Sequence, residues 1–242
     1  MVYQQERVPL RVEAASKWLQ LIDPRGQLHR RALVASLIII AILIAAHLCA
    51  TLIGATRAAA TQDGTIALFD LDDELTLAVW FSSGLFILVA IAAMTLAWFR
   101  DYGASWERLG WRGVTLVMLF FSLDETSGIH ETFGGTLARL FPHVPISPSS
   151  WWTLPYVLLV GTAFFFIACA AQWQPNLLMP LFFAGICWLG AVIFEHLHLF
   201  SLHINVAMEE GLEMLGTALL LYSLLALLQH HRKSCYPPSS PA

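Results

Sequence analysis

The chain has little charge: of its 242 residues only 12% are Asp, Glu, Lys or Arg, where a soluble domain carries about a quarter. With 57% hydrophobic side chains, that scarcity excludes a solvated globule and makes a bilayer the expected solvent. Cysteine is scarce too. Cys49, Cys169, Cys187 and Cys235 show no Cys-x-x-Cys spacing, and the first three lie in apolar runs where a thiol packs as a small hydrophobe. A disulfide framework and a zinc ribbon are thereby excluded. The formal net charge of −4 leaves no basic footprint for nucleic acid. There is no glycine-rich phosphate loop, no haem-attachment Cys-x-x-Cys-His, no Ser-His-Asp order and no internal repeat.

Long apolar runs are what the sequence has in abundance. A helix needs about twenty apolar residues to cross a bilayer core. Runs of that kind fall at residues 32–54, 75–98, 114–133, 152–171, 177–199 and 206–228, predicting an all-α, polytopic membrane bundle of about six transmembrane helices. The first run is too long for a signal-peptide core and lacks a cleavage site, so it is expected to remain as a span. Cations set the orientation. Arg7, Arg11, Lys17, Arg25, Arg30 and Arg31 precede the first run, Arg100, Arg108 and Arg112 separate the second from the third, and Arg232 and Lys233 follow the last. Cytoplasmic segments are enriched in Lys and Arg, so both termini are expected in the cytoplasm, of a bacterial inner membrane. The opposite side keeps Arg57 and Arg139 and carries Asp63, Asp70, Asp72, Asp73 and Glu74, the last four read as caps of the next helix.

Three regions follow: a cytoplasmic amphipathic segment at 1–31, the six-helix domain at 32–229 and a disordered cytoplasmic tail at 230–242. In the first, Val8, Val12, Ala15, Leu19 and Ile22 repeat at helical spacing, as in a helix lying on a membrane surface. Pro142, Pro145 and Pro148 mark an ordered outer loop, and the Gly134–Gly135 pair is expected to end the third helix.

Several ionisable groups interrupt the apolar runs, each costing roughly 2.5 to 3.5 kcal/mol at membrane depth on insertion scales. Asp124, Glu125, His130 and Glu131 lie in the third run, Glu195, His196 and His198 end the fifth, and Glu209, Glu210 and Glu213 open the sixth. At about 1.5 Å rise per residue, all three groups reach the outer half of the bilayer. Seven residues apart, Asp124 and Glu131 share one face of a continuous helix; so do Glu195 and His198, and Glu209 and Glu213, whereas His196 and Glu125 point elsewhere.

Mixed carboxylate and imidazole donors at such spacings suit Zn, Mn or Fe, and Glu195-x-x-His198 has the spacing used by di-iron carboxylate bundles. The expected ligands of a divalent transition metal are Glu131, Glu195, His198, Glu210, Glu213 and His130, with Asp124, Glu131 and Glu210 in catalytic roles. The expected activity is a metal-dependent hydrolase or oxidoreductase acting on a lipid-like substrate near the outer leaflet. A proton or divalent-cation transporter and a structural subunit of a larger complex are the alternatives. His47 reads as a packed core histidine, and His203, His230 and His231 as solvated.

Overall fold

Hydrophobic runs in lipid must satisfy their backbone internally, and the chain does so with helices. The computed structural model describes residues 17, 18, 20–52, 68–71, 76–99, 105–144, 147–171, 175–197 and 200–235. The helices are α1 (Leu28–Leu52), α2 (Leu77–Phe99), α3 (Ser105–Ser127), α4 (Ile129–Leu140), α5 (Pro148–Ala170), α6 (Pro175–His196) and α7 (Leu202–Cys235). Of these, α1, α2, α5, α6 and α7 are both long and apolar enough to cross a membrane. At 23 residues α3 is about 34 Å long, sufficient to cross, but it carries Arg112, Asp124 and Glu125.

Local chemistry starts several helices. The Thr76 hydroxyl accepts the Val79 N–H at 3.4 Å ahead of α2. Ser147 caps α5 by accepting the Ser150 N–H at 3.2 Å, with Pro148 in the first turn, where its missing N–H costs nothing. The core forms around α7, which buries Met214, Thr217, Leu220 and Leu224 and packs on α6, α1 and α2, while α2 packs on α3. α5 leans mainly on α4 and meets α3 and α6 more thinly.

Asp23 joins the start of α1 to the end of α7. Its carboxylate accepts the backbone N–H groups of Gln27 at 2.8 Å and Leu28 at 2.9 Å, capping α1, and the Gln229 side-chain amide of α7 at 2.7 Å. Arg232 donates to the Asp23 carbonyl at 3.3 Å. Gly26, in the left-handed region with φ of 67°, makes the turn this needs. The start of α1 and the end of α7 therefore occupy one face, so the number of crossings is even. At 12 residues, about 18 Å, α4 is too short to cross, which leaves α3 as the sixth crossing helix. Arg25, Arg30, Arg31 and Arg232 gather at the clasp end, the face the positive-inside rule assigns to the cytoplasm.

Three expectations need correction. The third helix is not continuous over 114–133: it breaks at Gly128, whose φ of 54° leaves the right-handed helix. The chain then resumes as α4 and runs straight through Gly134 and Gly135, which do not end it, because the left-handed residue had already come at Gly128. The tail is not disordered from 230 onward; α7 continues to Cys235, held by the bonds of Gln229 and Arg232 to Asp23. The surface-helix residues Val8, Val12, Ala15 and Leu19 and the acids Asp63, Asp72, Asp73 and Glu74 lie outside the described residues, but Trp18, Leu21 and Ile22 are exposed apolar residues.

Burial alone would raise the Asp23 pKa, but the two backbone N–H groups, the Arg232 charge and Gln229 outweigh it and hold the carboxyl below its ordinary value. A depressed folded-state pKa contributes stability that is present above the unfolded value and lost as pH falls through the folded one. Asp23→Ala should therefore cost about 1–2 kcal/mol at neutral pH. In detergent melts, its deficit against wild type should shrink below about pH 4; a deficit independent of pH would refute the clasp.

Candidate functional site

At the end of the bundle opposite the clasp, helix stripes converge on a cavity of about 440 Å³. α3 contributes Phe121, Asp124, Glu125 and Gly128, spaced as one face of a helix. α7 contributes Val206, Glu209, Glu210 and Glu213 in the same pattern, and α6 adds Gly185, Trp188, Leu189, Val192 and Glu195. His130 and Glu131 come from the first turn of α4, and Trp152, Tyr156, Val157, Val160, Gly161 and Phe164 from α5. Among the described residues that line it, seven are Asp or Glu and none is Lys or Arg.

The break at Gly128 shapes this wall. A glycine at the N-cap offers no side-chain acceptor to the new helix, and Asp124 supplies one. Its Oδ1 accepts the His130 backbone N–H at 2.8 Å, while its Oδ2 lies 3.0 Å from His130 Nδ1. A carboxylate can only accept, so Nδ1 carries the proton, and Nε2 keeps the lone pair in the neutral ring. Asp124 is 5% exposed and both its oxygens are engaged. Its observed work is to cap α4 and fix the His130 ring, as carboxylates do for metal-ligating or basic histidines.

Aromatic rings floor the cavity. Phe86 and Phe121 each pack on Trp188 with centroids 5.6 Å apart, Phe121 meets Tyr156 at 5.5 Å, and Trp152 lies edge-on to His130 at 4.8 Å. The Trp188 indole lies over Gly216 of α7, where a Cβ would collide with it. Below this floor the inner half is filled by Leu96, Trp111, Met118, Leu220 and Leu224, all fully buried. Asn205 closes the α6–α7 turn by accepting the Phe200 N–H at 3.1 Å and donating to the Phe194 carbonyl at 3.4 Å, which brings Glu195 up to Glu209 and Glu210.

Of the residues singled out by sequence, Asp124, His130, Glu131, Glu195, Glu210 and Glu213 all line this cavity. His198 lies outside the described residues. Glu131 is exposed at the rim. Glu125 also lines the cavity, against the expectation that it points away. That expectation assumed one continuous helix; the relevant spacing is the Phe121, Asp124, Glu125, Gly128 stripe that ends at the break. His196 does turn aside: its Nδ1 bonds the Val192 carbonyl at 2.9 Å and its Nε2 meets the Thr153 hydroxyl at 3.3 Å, tying α6 to α5.

His47 is 1% exposed and accepts the Leu71 N–H at 3.2 Å. Asp70, expected as a helix cap, reaches this ring instead at 3.5 Å, and His203, expected to be solvated, is half-buried 6.1 Å from it. Leu71 lines the cavity, so this buried group holds part of its wall. Among the described residues no three His, Cys, Asp or Glu side chains are gathered in a metal-holding arrangement.

Residues 35–227 match a family described as a domain of unknown function, DUF8692. No curated protein and no solved structure matches the chain.

If Asp124 is the cap of α4, its loss is structural before it is chemical. Asp124→Ala should destabilise the protein by about 1–2 kcal/mol. Asp124→Asn, which keeps one acceptor for the His130 N–H, should retain most of that. Equal melting temperatures for wild type and Asp124→Ala in detergent would contradict the assignment.

Proposed function

The chain belongs to the DUF8692 family, a domain of unknown function, so its activity has to be argued from the site, and we propose a membrane-embedded, metal-dependent enzyme acting on a lipid-like substrate at the outer leaflet. The observation that carries this reading is that carboxylates and aromatic rings share one cavity of about 440 Å³. A lone ion needs far less room; pockets for small organic molecules run from about 300 to 1,000 Å³. The acid-rich wall, without Lys or Arg, calls for a cation, and the aromatic floor suits an apolar body.

Glu131, Glu195, Glu210, Glu213 and His130 are the proposed ligands of one or two divalent ions, with Zn, Mn and Fe as the candidates. Without a cation, like charges at low dielectric repel one another, and a bound ion would reconcile them. It would supply an activated water in a hydrolase or a redox centre in an oxidoreductase. Either way His130, its Nδ1–H held by Asp124, presents Nε2 as ligand or base, and Glu125 or Glu210 is placed to move a proton.

A transporter reading needs polar groups continuing to the cytoplasmic face. The leucines, Trp111 and Met118 packed beneath the aromatic floor speak against it.

Protein purified without chelator should carry about one or two transition-metal ions per chain. Glu195→Ala combined with Glu210→Ala should lose them. Glu210→Gln relieves repulsion in the metal-free protein, so with chelator it should melt at or above the wild-type temperature while losing the stabilisation that added metal gives. Elemental analysis finding no Zn, Mn or Fe above background, or equal destabilisation of Glu210→Gln with and without metal, would refute the reading.

A further inference from the structure

The cavity wall on the α5–α6 side contains residues that also face outward. Val157 is 47% exposed and Leu189 is 59% exposed, yet both line the cavity, as does the exposed Gly161. A residue can face both ways only at an opening. The depth of that opening follows from the span Ser150–Ala170, in which Val157 lies about 10 Å and Gly161 about 16 Å from the outer start. That is well inside a hydrocarbon core about 30 Å thick. α5 ends at Ala170 and α6 begins at Pro175, and Phe164 of α5 meets Gly185 and Trp188 of α6, so Gly161 is about level with Gly185 and Val157 with Leu189. The two helices meet thinly. At this level each helix carries a glycine: a Cβ on Gly161 would meet no atom within 4 Å, and one on Gly185 would find Phe164 at 3.6 Å.

We infer that the slot between α5 and α6 at Val157, Gly161, Gly185 and Leu189 is a lateral portal. Through it a single hydrocarbon chain passes from the bilayer into the cavity, while the polar end of the same molecule meets the carboxylates. This deepens the proposed function and rests on its lipid-like substrate. Two features favour a single-chain amphiphile over a water-borne ligand. The opening lies at acyl-chain depth, where no water-soluble molecule waits, and the surfaces just inside it are Phe164 and the Trp188 ring, apolar partners for methylenes. The missing side chain at Gly161 sets the width of the slot, so this position determines which chains fit.

Full-length protein reconstituted in phosphatidylcholine nanodiscs and irradiated with a hexadecyl alcohol bearing a mid-chain diazirine tests the portal. Labelled peptides are mapped by mass spectrometry, and metal content is measured on the same samples. Labelling at residues 157–164 and 185–192 should exceed that at Ile38 and Ile42, ordinary lipid-facing positions of α1 that are 55% and 58% exposed. Excess unlabelled hexadecanol should compete it away. Gly161→Phe, whose Cβ meets no atom within 4 Å, should reduce portal labelling by roughly tenfold, about 1.4 kcal/mol of binding, and leave Ile38, Ile42 and metal content unchanged. Leu154→Ala, which removes an exposed side chain of α5 that does not line the cavity, should preserve the labelling. Labelling no stronger than at Ile38 and Ile42, or unchanged by Gly161→Phe, overturns the portal. Portal labelling as expected in protein that holds no metal upholds the portal and refutes the metal reading instead.

Discussion

The architecture depends on one constraint: carboxylates from four helices share a cavity at membrane depth that, among the described residues, is lined by no Lys or Arg. Each such group is costly to place away from water, and like charges at low dielectric repel. The protein meets this in three visible ways. One carboxylate, Asp124, is consumed by the fold as the cap of α4 and the anchor of His130. The remainder line the wall, with Glu131 at the exposed rim. The whole set is confined to the outer end, above an aromatic floor that seals it from the leucine-filled inner half.

That separation explains the division of labour among the helices. The inner half is where α7 packs tightly on α1, α2 and α6 and where the Asp23 clasp ties the start of α1 to the end of α7. The outer half is looser. α3 stops short at Gly128, α4 turns aside, and α5 meets α3 and α6 thinly. A cavity requires such loosening, because a uniformly close-packed bundle has no room for a guest. Rigidity at one end and an opening at the other is what an intramembrane site for a bilayer-borne ligand calls for.

Much of the bundle was legible in the sequence, because hydropathy over twenty residues averages away local detail: five of the six apolar runs became single helices and the third became two, with ends shifted by up to nine residues. The convergence of acids at one level was legible for the same reason, since depth depends only on rise per residue. What could not be read was the break at Gly128. Gly134 and Gly135 looked like the better stop, but a helix ends where its orphan groups find partners. Asp124 supplies that partner to His130 six residues along, a tertiary arrangement with no short motif. The misplaced break also hid Glu125, whose direction was judged on a continuous helix. Asn205 and His47 were missed or undervalued because their roles, closing the α6–α7 turn and bonding the Leu71 backbone, rest on contacts distant in sequence from any chemical signature.

The central claim is that acids distant in sequence meet in one cavity open to the outer side. It is tested most directly in a variant free of native cysteines carrying Glu131→Cys and Glu195→Cys, treated in intact cells with a short, membrane-impermeant bifunctional methanethiosulfonate. Convergence at the outer face predicts an intramolecular link, so that the two halves stay joined after proteolysis in the loop between α4 and α5 until reductant is added. Two cysteines that each react with a monofunctional reagent but do not link, or that react only after the cells are permeabilised, would contradict it.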